Sequence, residues 1–310
     1  MIITKLNGGL GNQMFQYAAG LALAEYHRTV LKLDTSWYRK QEGYEAHNRY
    51  ALSCFNITEQ FASIEEVERI LGVEMTFSER LSVSIARRIG FKRYVSRFVG
   101  TGNDFYTKNF RFDECFFAQP DNSCLNGNWQ SERYFNVVSD LLRLHFGFRY
   151  PANPEVDKLA REIQGLEDTA FVHFRRGDYT QDTFYNRELG VLSLEYYCQA
   201  VALLRERHPG VKLYVFSDDI NAIEKEFRPG GACVYVRGIQ SWHAYDAMRL
   251  MSMCRHAVIA NSTFGWWGAW LISNPGKMII APDPWYRGSA FDGADVVPES
   301  WLKHRSAWIA

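Results

Sequence analysis

Two adjacent arginines follow a short apolar segment in the second half of the chain, within the sequence HFRRGDY. Side chains alternate along a strand, so His173 and Arg175 are expected on one face and Arg176 on the other. Paired cations at a strand end are unfavourable unless an anion meets them, and the planar guanidinium suits bidentate phosphate binding. We therefore expect at least one arginine to contact a phosphate. An ion pair between Asp178 and the other arginine is a structural alternative that can coexist with this role.

A second candidate anion site is a polar triplet, Asn261, Ser262 and Thr263, which follows the apolar segment AVIA and precedes an apolar helix pattern. Hydroxyls and backbone amides at a helix N-terminus lie where the helix dipole stabilises a phosphate. As an alternative, Ser262 or Thr263 only caps the helix. Capping would explain one hydroxyl residue at this position. It would not explain why another strand end, that of HFRRGDY, is basic.

The loop NGGLGNQ near the start of the sequence lies between a strand pattern and a helix pattern. It does not match the dinucleotide-binding fingerprint, because Met14 occupies the third glycine position, and no Gly-Lys-Ser/Thr follows for a P-loop. Gly8, Gly9 and Gly11 still allow a ligand to approach the backbone at a helix N-terminus. The alternative is a tight turn that Asn12 caps.

The sequence contains no Asp-x-Asp pair, the arrangement with which transferases commonly hold a metal-bound nucleotide diphosphate. The nearest approach is Asp218 and Asp219, which could bind a ribose, a base or nothing; Asp219 also suits the cap of the next helix. The six cysteines are scattered without zinc-ligand spacing. No residue order typical of a covalent nucleophile stands out. We therefore expect a site without metal.

These residues must be positioned by two α/β units. A strand, the glycine loop, a helix and a second strand open the chain as a βαβ unit, and the pattern then degrades between residues 36 and 150. Within that span, Ser63 and Glu66 form a capping box for a short helix that stops at Gly72, and residues 131–146 could form another helix. Pro151 and Pro154 favour a linker.

Beyond the linker, strand and helix patterns alternate regularly as far as MIIAP, which predicts a doubly wound domain. We therefore predict an N-terminal α/β domain over residues 1–150, a C-terminal domain over residues 151–310, and a ligand in the cleft between them.

Composition narrows the class of protein. Thirty-five basic side chains balance thirty-five acidic ones, so no global field exists to attract nucleic acid. Residues 264–272 form the best apolar run, which is too short for a membrane span, and Trp266, Trp267 and Trp270 within it are expected in the core and domain interface. The scattered cysteines and the absence of a signal-like start favour a cytoplasmic protein, with peripheral membrane association left open.

The segments GGLGNQMFQYA, HFRRGDY and IANSTFGWWGAWL together resemble the alpha-1,2-fucosyltransferases of glycosyltransferase family 11, and the resemblance runs from about Ile2 to Pro282. HFRRGD matches the H-x-R-R-x-D motif shared with alpha-1,6- and protein O-fucosyltransferases. Asp246 precedes Ser262 by sixteen residues, as in those relatives. The resemblance implies a GT-B-like fold of two facing Rossmann-type domains and an inverting, metal-independent reaction that uses GDP-fucose as donor and no cofactor.

The resemblance also implies roles for individual residues. Arg175 would contact the β-phosphate, Asp246 would read guanine, and Ser262 and Thr263 would hold phosphate oxygens. Asn12 matches a loop asparagine at the reaction centre of protein O-fucosylating relatives. Gly9 and Gly11, in the same loop, would bring the backbone to the donor, and the loop would close on the sugar.

Two departures from the family pattern affect the catalytic assignment. Family members commonly carry serine at the position of Gly265, and the glutamate that serves as base in alpha-1,6 relatives falls at Thr183. The base is therefore open between Asp178 and His173, and either could simply orient an arginine.

The expected activity is that of a galactoside alpha-1,2-fucosyltransferase, with a galactose-containing glycan as acceptor and residues 36–150 in contact with it. Two alternatives are a transferase of the same fold that uses another sugar nucleotide and, ranked last, a noncatalytic carbohydrate-binding protein. A lectin needs no paired arginines facing a phosphate-binding turn.

Overall fold

The structure is a computed structural model, and it describes residues 1–39, 49–72, 104–106, 110–176, 183–238 and 243–309. Within these ranges the chain forms two separate parallel β-sheets, each flanked by helices. The expected α/β class with two Rossmann-type units is therefore confirmed. The division at residue 150 stays a prediction, because the two units share one hydrophobic core, as described below.

The first sheet has four parallel strands in the order β2-β1-β4-β3. The strands are β1 (Ile2–Lys5), β2 (Leu31–Asp34), β3 (Asp104–Tyr106) and β4 (Ser123–Asn126). The strand order reverses between β1 and β4, so the loops that follow these two strands meet at one edge of the sheet. The glycine loop follows β1 and lies at this edge.

The second sheet has six parallel strands in the order β10-β9-β8-β5-β6-β7. The strands are β5 (Thr169–Phe174), β6 (Lys212–Ser217), β7 (Cys233–Tyr235), β8 (His256–Val258), β9 (Ile279–Asp283) and β10 (Leu302–Arg305). If the strands of this sheet are numbered from one to six along the chain, their order is that of a doubly wound dinucleotide-binding fold. The switch point of that fold lies between the first and fourth strands. Here those strands are β5 and β8, which precede the paired arginines and the polar triplet.

The α-helices that connect these strands are α1 (Leu10–His27), α2 (Ser36–Arg39), α3 (Ile64–Leu71), α4 (Ser139–His145), α5 (Pro154–Gln164), α6 (Thr183–Leu189), α7 (Leu194–Arg207), α8 (Ile220–Glu226), α9 (Ala244–Met253) and α10 (Thr263–Leu271). The predicted capping box of Ser63 and Glu66 is confirmed at the start of α3, and the helix ends at Gly72, which has a φ of 67°. Asp219 caps α8 by accepting a hydrogen bond from the Ala222 amide, as the sequence allowed.

Two expectations about the middle of the chain were inaccurate. Residues 131–146 do not form one helix, because two 3-10 turns (Glu132–Tyr134 and Asn136–Val138) precede α4. The proline segment contains the start of a helix, since Asn153 caps α5 and Pro154 occupies its first turn, where the missing amide hydrogen costs nothing.

The shared core forms where α1 of the first unit packs against α10 of the second. The Phe15 ring lies 4.6 Å from that of Trp266 and 4.9 Å from that of Trp267. Phe135 stacks on Trp267 at 5.3 Å. The prediction that the tryptophans of this segment, including the buried Trp270, form core and interface is confirmed. Within the described ranges, we find no helix whose length and apolar character would let it cross a membrane.

Candidate functional site

The N-terminus of α10 is contacted by two of the predicted site segments, His173 and the glycine loop. Ser262 occupies the N-cap position and is buried, yet its side chain makes no capping hydrogen bond. The alternative in which the Ser262 side chain caps α10 is therefore wrong, and its contact with a phosphate stays a prediction. The first backbone amides of a helix lack partners within the helix, so this end can receive an anion.

The other end of α10 is already neutralised by cations. Lys277 donates from Nζ to the carbonyls of Ala269, Trp270 and Ile272 at 2.9–3.1 Å, and burial lowers the pKa of this ammonium to about 8. Arg143 donates to the Trp270 carbonyl at 3.0 Å. Cations favour the negative end of the helix dipole, so side chains of the protein itself stabilise the C-terminal end of α10.

His173 lies directly beside the first turn of α10. A Cβ atom built on Gly265 would lie 2.6 Å from Nδ1 of the imidazole, so only glycine leaves room for this ring. In this chain the His173 ring therefore occupies the space that a side chain at position 265 would need. Burial lowers the pKa of His173 to about 4, and its Nδ1 has no hydrogen-bond partner among the described residues. A neutral imidazole with so low a pKa is a weak general base, and the catalytic role assigned to His173 stays a prediction.

The burial of His173 makes protein stability depend on pH. Above pH 6.5 the imidazole is neutral in both the folded and the unfolded chain. Between pH 6.5 and about pH 4 only the unfolded chain takes up the proton, so the folded state loses stability as the pH falls. Lowering the pH from 7 to 5 should reduce the free energy of unfolding of the wild type by about 2 kcal/mol more than that of His173→Asn. Urea unfolding at the two pH values measures this difference. Parallel losses in both proteins would contradict the assigned cause.

Arg175 follows β5 and forms an ion pair with Asp218, which follows β6. Nη1 of Arg175 lies 3.2 Å from Oδ2 of Asp218, and the other carboxylate oxygen accepts from the Arg176 backbone amide at 3.0 Å. Asp218 therefore fixes the strand end that carries both arginines. Sequence reasoning considered this carboxylate for a ribose or a base, and missed its contact with Arg175 because the two strands are adjacent only in the folded sheet.

Arg176 lies two residues beyond the end of β5 and contacts α8. Its Nη1 donates to Glu226 of α8 at 2.7 Å, and its side chain is only 16% exposed. The expected structural tie is therefore present, with Glu226 as partner. Asp178, the partner and candidate base suggested by the sequence, lies outside the described residues.

The glycine loop of the first unit contacts the start of α10. A Cβ atom on Gly11 would lie 2.6 Å from the backbone carbon of Thr263, so the two backbones are in direct contact. Nε1 of Trp267 donates to the Gly11 carbonyl at 3.0 Å. The N-cap of α1 is Gly9, and the expectation that Asn12 caps this helix is wrong, because Asn12 lies within its first turn.

Three side chains that sequence reasoning missed hold the glycine loop in place. Gln13 donates to the Gly8 carbonyl at 3.0 Å, and the Tyr38 hydroxyl donates to the same oxygen at 3.0 Å. Gln16 accepts from the Asn7 amide at 3.0 Å and donates to the Gly127 carbonyl at 3.3 Å. The loops after β1 and β4 are thereby joined. The signal for this role was the presence of two glutamines on the apolar part of a helix that begins at a glycine loop, because buried amides need hydrogen-bond partners.

Asp246 lies in the first turn of α9 and is 2% exposed. Burial raises the pKa of its carboxyl, and Arg249, whose Nη1 lies 4.0 Å from Oδ1, opposes this shift. Oδ1 has no hydrogen-bond partner among the described residues. A base could reach this carboxylate only if neighbouring groups move, and guanine recognition stays a prediction. Asn261, by contrast, donates to the Leu189 carbonyl at 2.8 Å and has a structural role.

A cluster of Asp168, His208 and His256 lies apart from these residues and has a composition that could suggest a metal. Nε2 of His256 and Nδ1 of His208 lie 3.1 and 3.2 Å from the two Asp168 oxygens. The backbone amide of Met278 donates to Nδ1 of His256, so the neutral ring carries its proton on Nε2. The Met278 amide thus orients His256 with its Nε2 toward Asp168.

The geometry is that of an α/β protein in which a basic strand end and a helix N-terminus meet at the switch point of a doubly wound sheet. The family model of glycosyl transferase family 11 matches residues 112–302. The chain is 30% identical to an alpha-1,2-colitosyltransferase of Escherichia coli over 98% of both proteins. It is 28% identical to the O-antigen biosynthesis glycosyltransferase WbnK of Escherichia coli, over 96% of this chain and 98% of that protein.

A galactoside alpha-(1,2)-fucosyltransferase 1 of Oryctolagus cuniculus is 28% identical, over 86% of this chain and 62% of that protein. The family match covers more than half of the chain. The chain therefore belongs to glycosyl transferase family 11 and is a glycosyltransferase, as the resemblance predicts.

Proposed function

We propose that the protein transfers L-fucose from GDP-fucose to a hydroxyl of a glycan, the O2 of galactose, with inversion at the anomeric carbon. The observation that carries this proposal is the position of Arg175 and the α10 N-terminus at adjacent strand ends of one switch point. The 28% identity to a protein named a galactoside alpha-(1,2)-fucosyltransferase supports the donor and the linkage.

The chemistry follows from where charge develops. As the bond between fucose and GDP breaks, negative charge builds on the β-phosphate, and the Arg175 guanidinium and the amides at Thr263 stabilise it. Asp218 holds Arg175 from the side of β6 and so fixes the guanidinium before the reaction. Asn12, in the loop seated on α10, contacts the sugar. The acceptor oxygen attacks from the opposite face as GDP leaves, and its proton passes to the base, for which Asp178 and His173 are the candidates.

A second donor is supported by the relative that is named a colitosyltransferase. Colitose is fucose without its 3-hydroxyl, so a site that hydrogen-bonds this hydroxyl would discriminate between the two sugars, whereas an apolar pocket would not. The same phosphate and guanine contacts serve either donor. The proposed order of preference is fucose first.

The proposed function is tested by incubating the purified protein with GDP-fucose or GDP-colitose and a panel of galactose-terminated oligosaccharides. Mass spectrometry and linkage analysis identify the product. An alpha-1,2-fucosylated galactoside confirms the proposal. If only colitose is transferred, the donor is GDP-colitose and the first proposal is wrong. If neither sugar is transferred to any acceptor, both proposed donors are contradicted.

We expect the reaction to need no divalent cation, because the Arg175 and α10 contacts supply the positive field at the leaving phosphate. EDTA should leave the initial rate within about twofold of the untreated rate, since a metal that stabilised the transition state would contribute far more. Initial rates with EDTA, and with added Mg²⁺ or Mn²⁺, measure this. Complete loss with EDTA that either cation restores would contradict the arginine-based account.

A further inference from the structure

Gln130 is a buried amide that joins the two units. It follows β4 at the edge where the glycine loop lies, and only 6% of the residue is exposed. Burying an amide is unfavourable unless both its ends make hydrogen bonds. Both ends of Gln130 do, and each bond runs to a different unit of the protein.

The first bond reaches the glycine loop. Nε2 of Gln130 donates to Oδ1 of Asn12 at 3.1 Å. The second bond reaches the C-terminal unit, where the Tyr286 hydroxyl donates to Oε1 of Gln130 at 2.9 Å. Tyr286 follows β9 and is itself buried, so it forms a fixed anchor.

These bonds determine which end of the Asn12 amide is presented. Because Oδ1 accepts from Gln130, the NH2 group is the end turned away from it. A Cβ atom on Gly8 would lie 2.6 Å from Nδ2 of Asn12, so Gly8, with a φ of +70°, leaves the space that this NH2 group occupies. Asn12 is thus held through Oδ1, and its NH2 group lies against Gly8.

We propose that Gln130 is a positioning residue that, anchored by Tyr286, orients Asn12 so that its NH2 group donates a hydrogen bond to the bound sugar or its leaving oxygen. The inference rests on the proposed function, which places Asn12 at the sugar. Gln130 itself contacts no substrate. It acts by fixing the polarity of an amide that could otherwise present its oxygen.

The polarity can be reversed by one isosteric change. The carboxylate that Gln130→Glu introduces still accepts from Tyr286 but can only accept from Asn12, so Asn12 must turn its NH2 group inward and its oxygen toward the sugar. We expect kcat to fall about 10- to 100-fold and the KM for the donor nucleotide to change less than about threefold, because a misplaced group costs turnover more than binding. Gln199→Glu, on the exposed face of α7, is the matched control and should retain wild-type kinetics.

A double-mutant cycle separates positioning from structural damage. If Gln130 acts through Asn12, Gln130→Glu should have no further effect on kcat in an Asn12→Ala background. Independent, multiplicative losses would overturn the inference while leaving the proposed transferase activity intact. Thermal unfolding of each variant verifies that the compared proteins are folded.

An NMR measurement tests the inference without relying on activity. The side-chain amide resonances of Asn12, assigned by their loss in Asn12→Asp, should shift in Gln130→Glu and in Tyr286→Phe but not in Gln199→Glu. Unchanged Asn12 resonances in both site variants would overturn the inference. If the wild type is inactive but the Asn12 resonances shift in both site variants, the proposed function is contradicted and the hydrogen-bonded orientation of Asn12 is retained.

Discussion

Arg175→Lys is expected to lower kcat/KM by about 10²- to 10³-fold while the protein stays folded. Lysine keeps the charge but loses the planar fork that lets one guanidinium hold Asp218 and a phosphate oxygen together. The side chain is 25% exposed, so the substitution leaves no buried cavity. Steady-state kinetics with the accepted donor, and the thermal midpoint, measure the two properties.

Arg176→Lys is the matched comparison, because the two neighbouring arginines pair with different carboxylates, Asp218 and Glu226. Its largely buried guanidinium holds Glu226, and the loss of this geometry should lower the thermal midpoint while the folded enzyme keeps near-normal turnover. A stable but inactive Arg176→Lys together with an active Arg175→Lys would mean that Arg176, and not Arg175, serves the reaction.

Asp246→Asn is expected to weaken GDP binding about 10- to 100-fold, which corresponds to about 1–3 kcal/mol of lost hydrogen bonding. A carboxylate accepts from both N1 and N2 of guanine, whereas an amide offers one acceptor and a mismatched donor. The wild type should therefore prefer GDP to inosine diphosphate, which lacks the 2-amino group, and the variant should lose this preference. Calorimetric titration with both nucleotides measures the change.

The competing role for Asp246 is that of counter-ion to Arg249. In that case the variant would lose stability, and its relative affinities for the two nucleotides would stay as in the wild type. Asp219→Asn is the control, because asparagine also caps a helix well and the cap of α8 should persist. Unchanged GDP affinity in a folded Asp246→Asn protein would remove this residue from the binding site.

Local sequence signals predicted the elements whose determinants lie within a few residues. The capping box of α3 and the cap of α8 satisfy amides three positions away, so their structure depends little on the rest of the protein. The alternation along β5 likewise separated His173, which packs against α10, from Phe174, which stacks on Tyr197 of α7. The tryptophans of α10 were recognised as core because no other position suits so apolar a helix.

Features that depend on distant partners were not predictable in this way. The partner of Arg176 comes from α8, fifty residues further along the chain. Strand β10 was missed because it lies at the sheet edge, where its burial alternates only weakly and its sequence LKHR has no apolar run. Gln130 and Tyr286 are separated by 156 residues, and neither belongs to a recognisable motif.

The contact between Gly11 and Thr263 restricts how this enzyme can be recombined with others. Any side chain at position 11 would collide with the α10 backbone, and the Gly11 carbonyl is bound to Trp267. A chimaera that takes its N-terminal half from one relative and its C-terminal half from another would have to match α1 to α10 at this contact. Loops of the first half are therefore better exchanged while α1 and α10 are kept from the same protein.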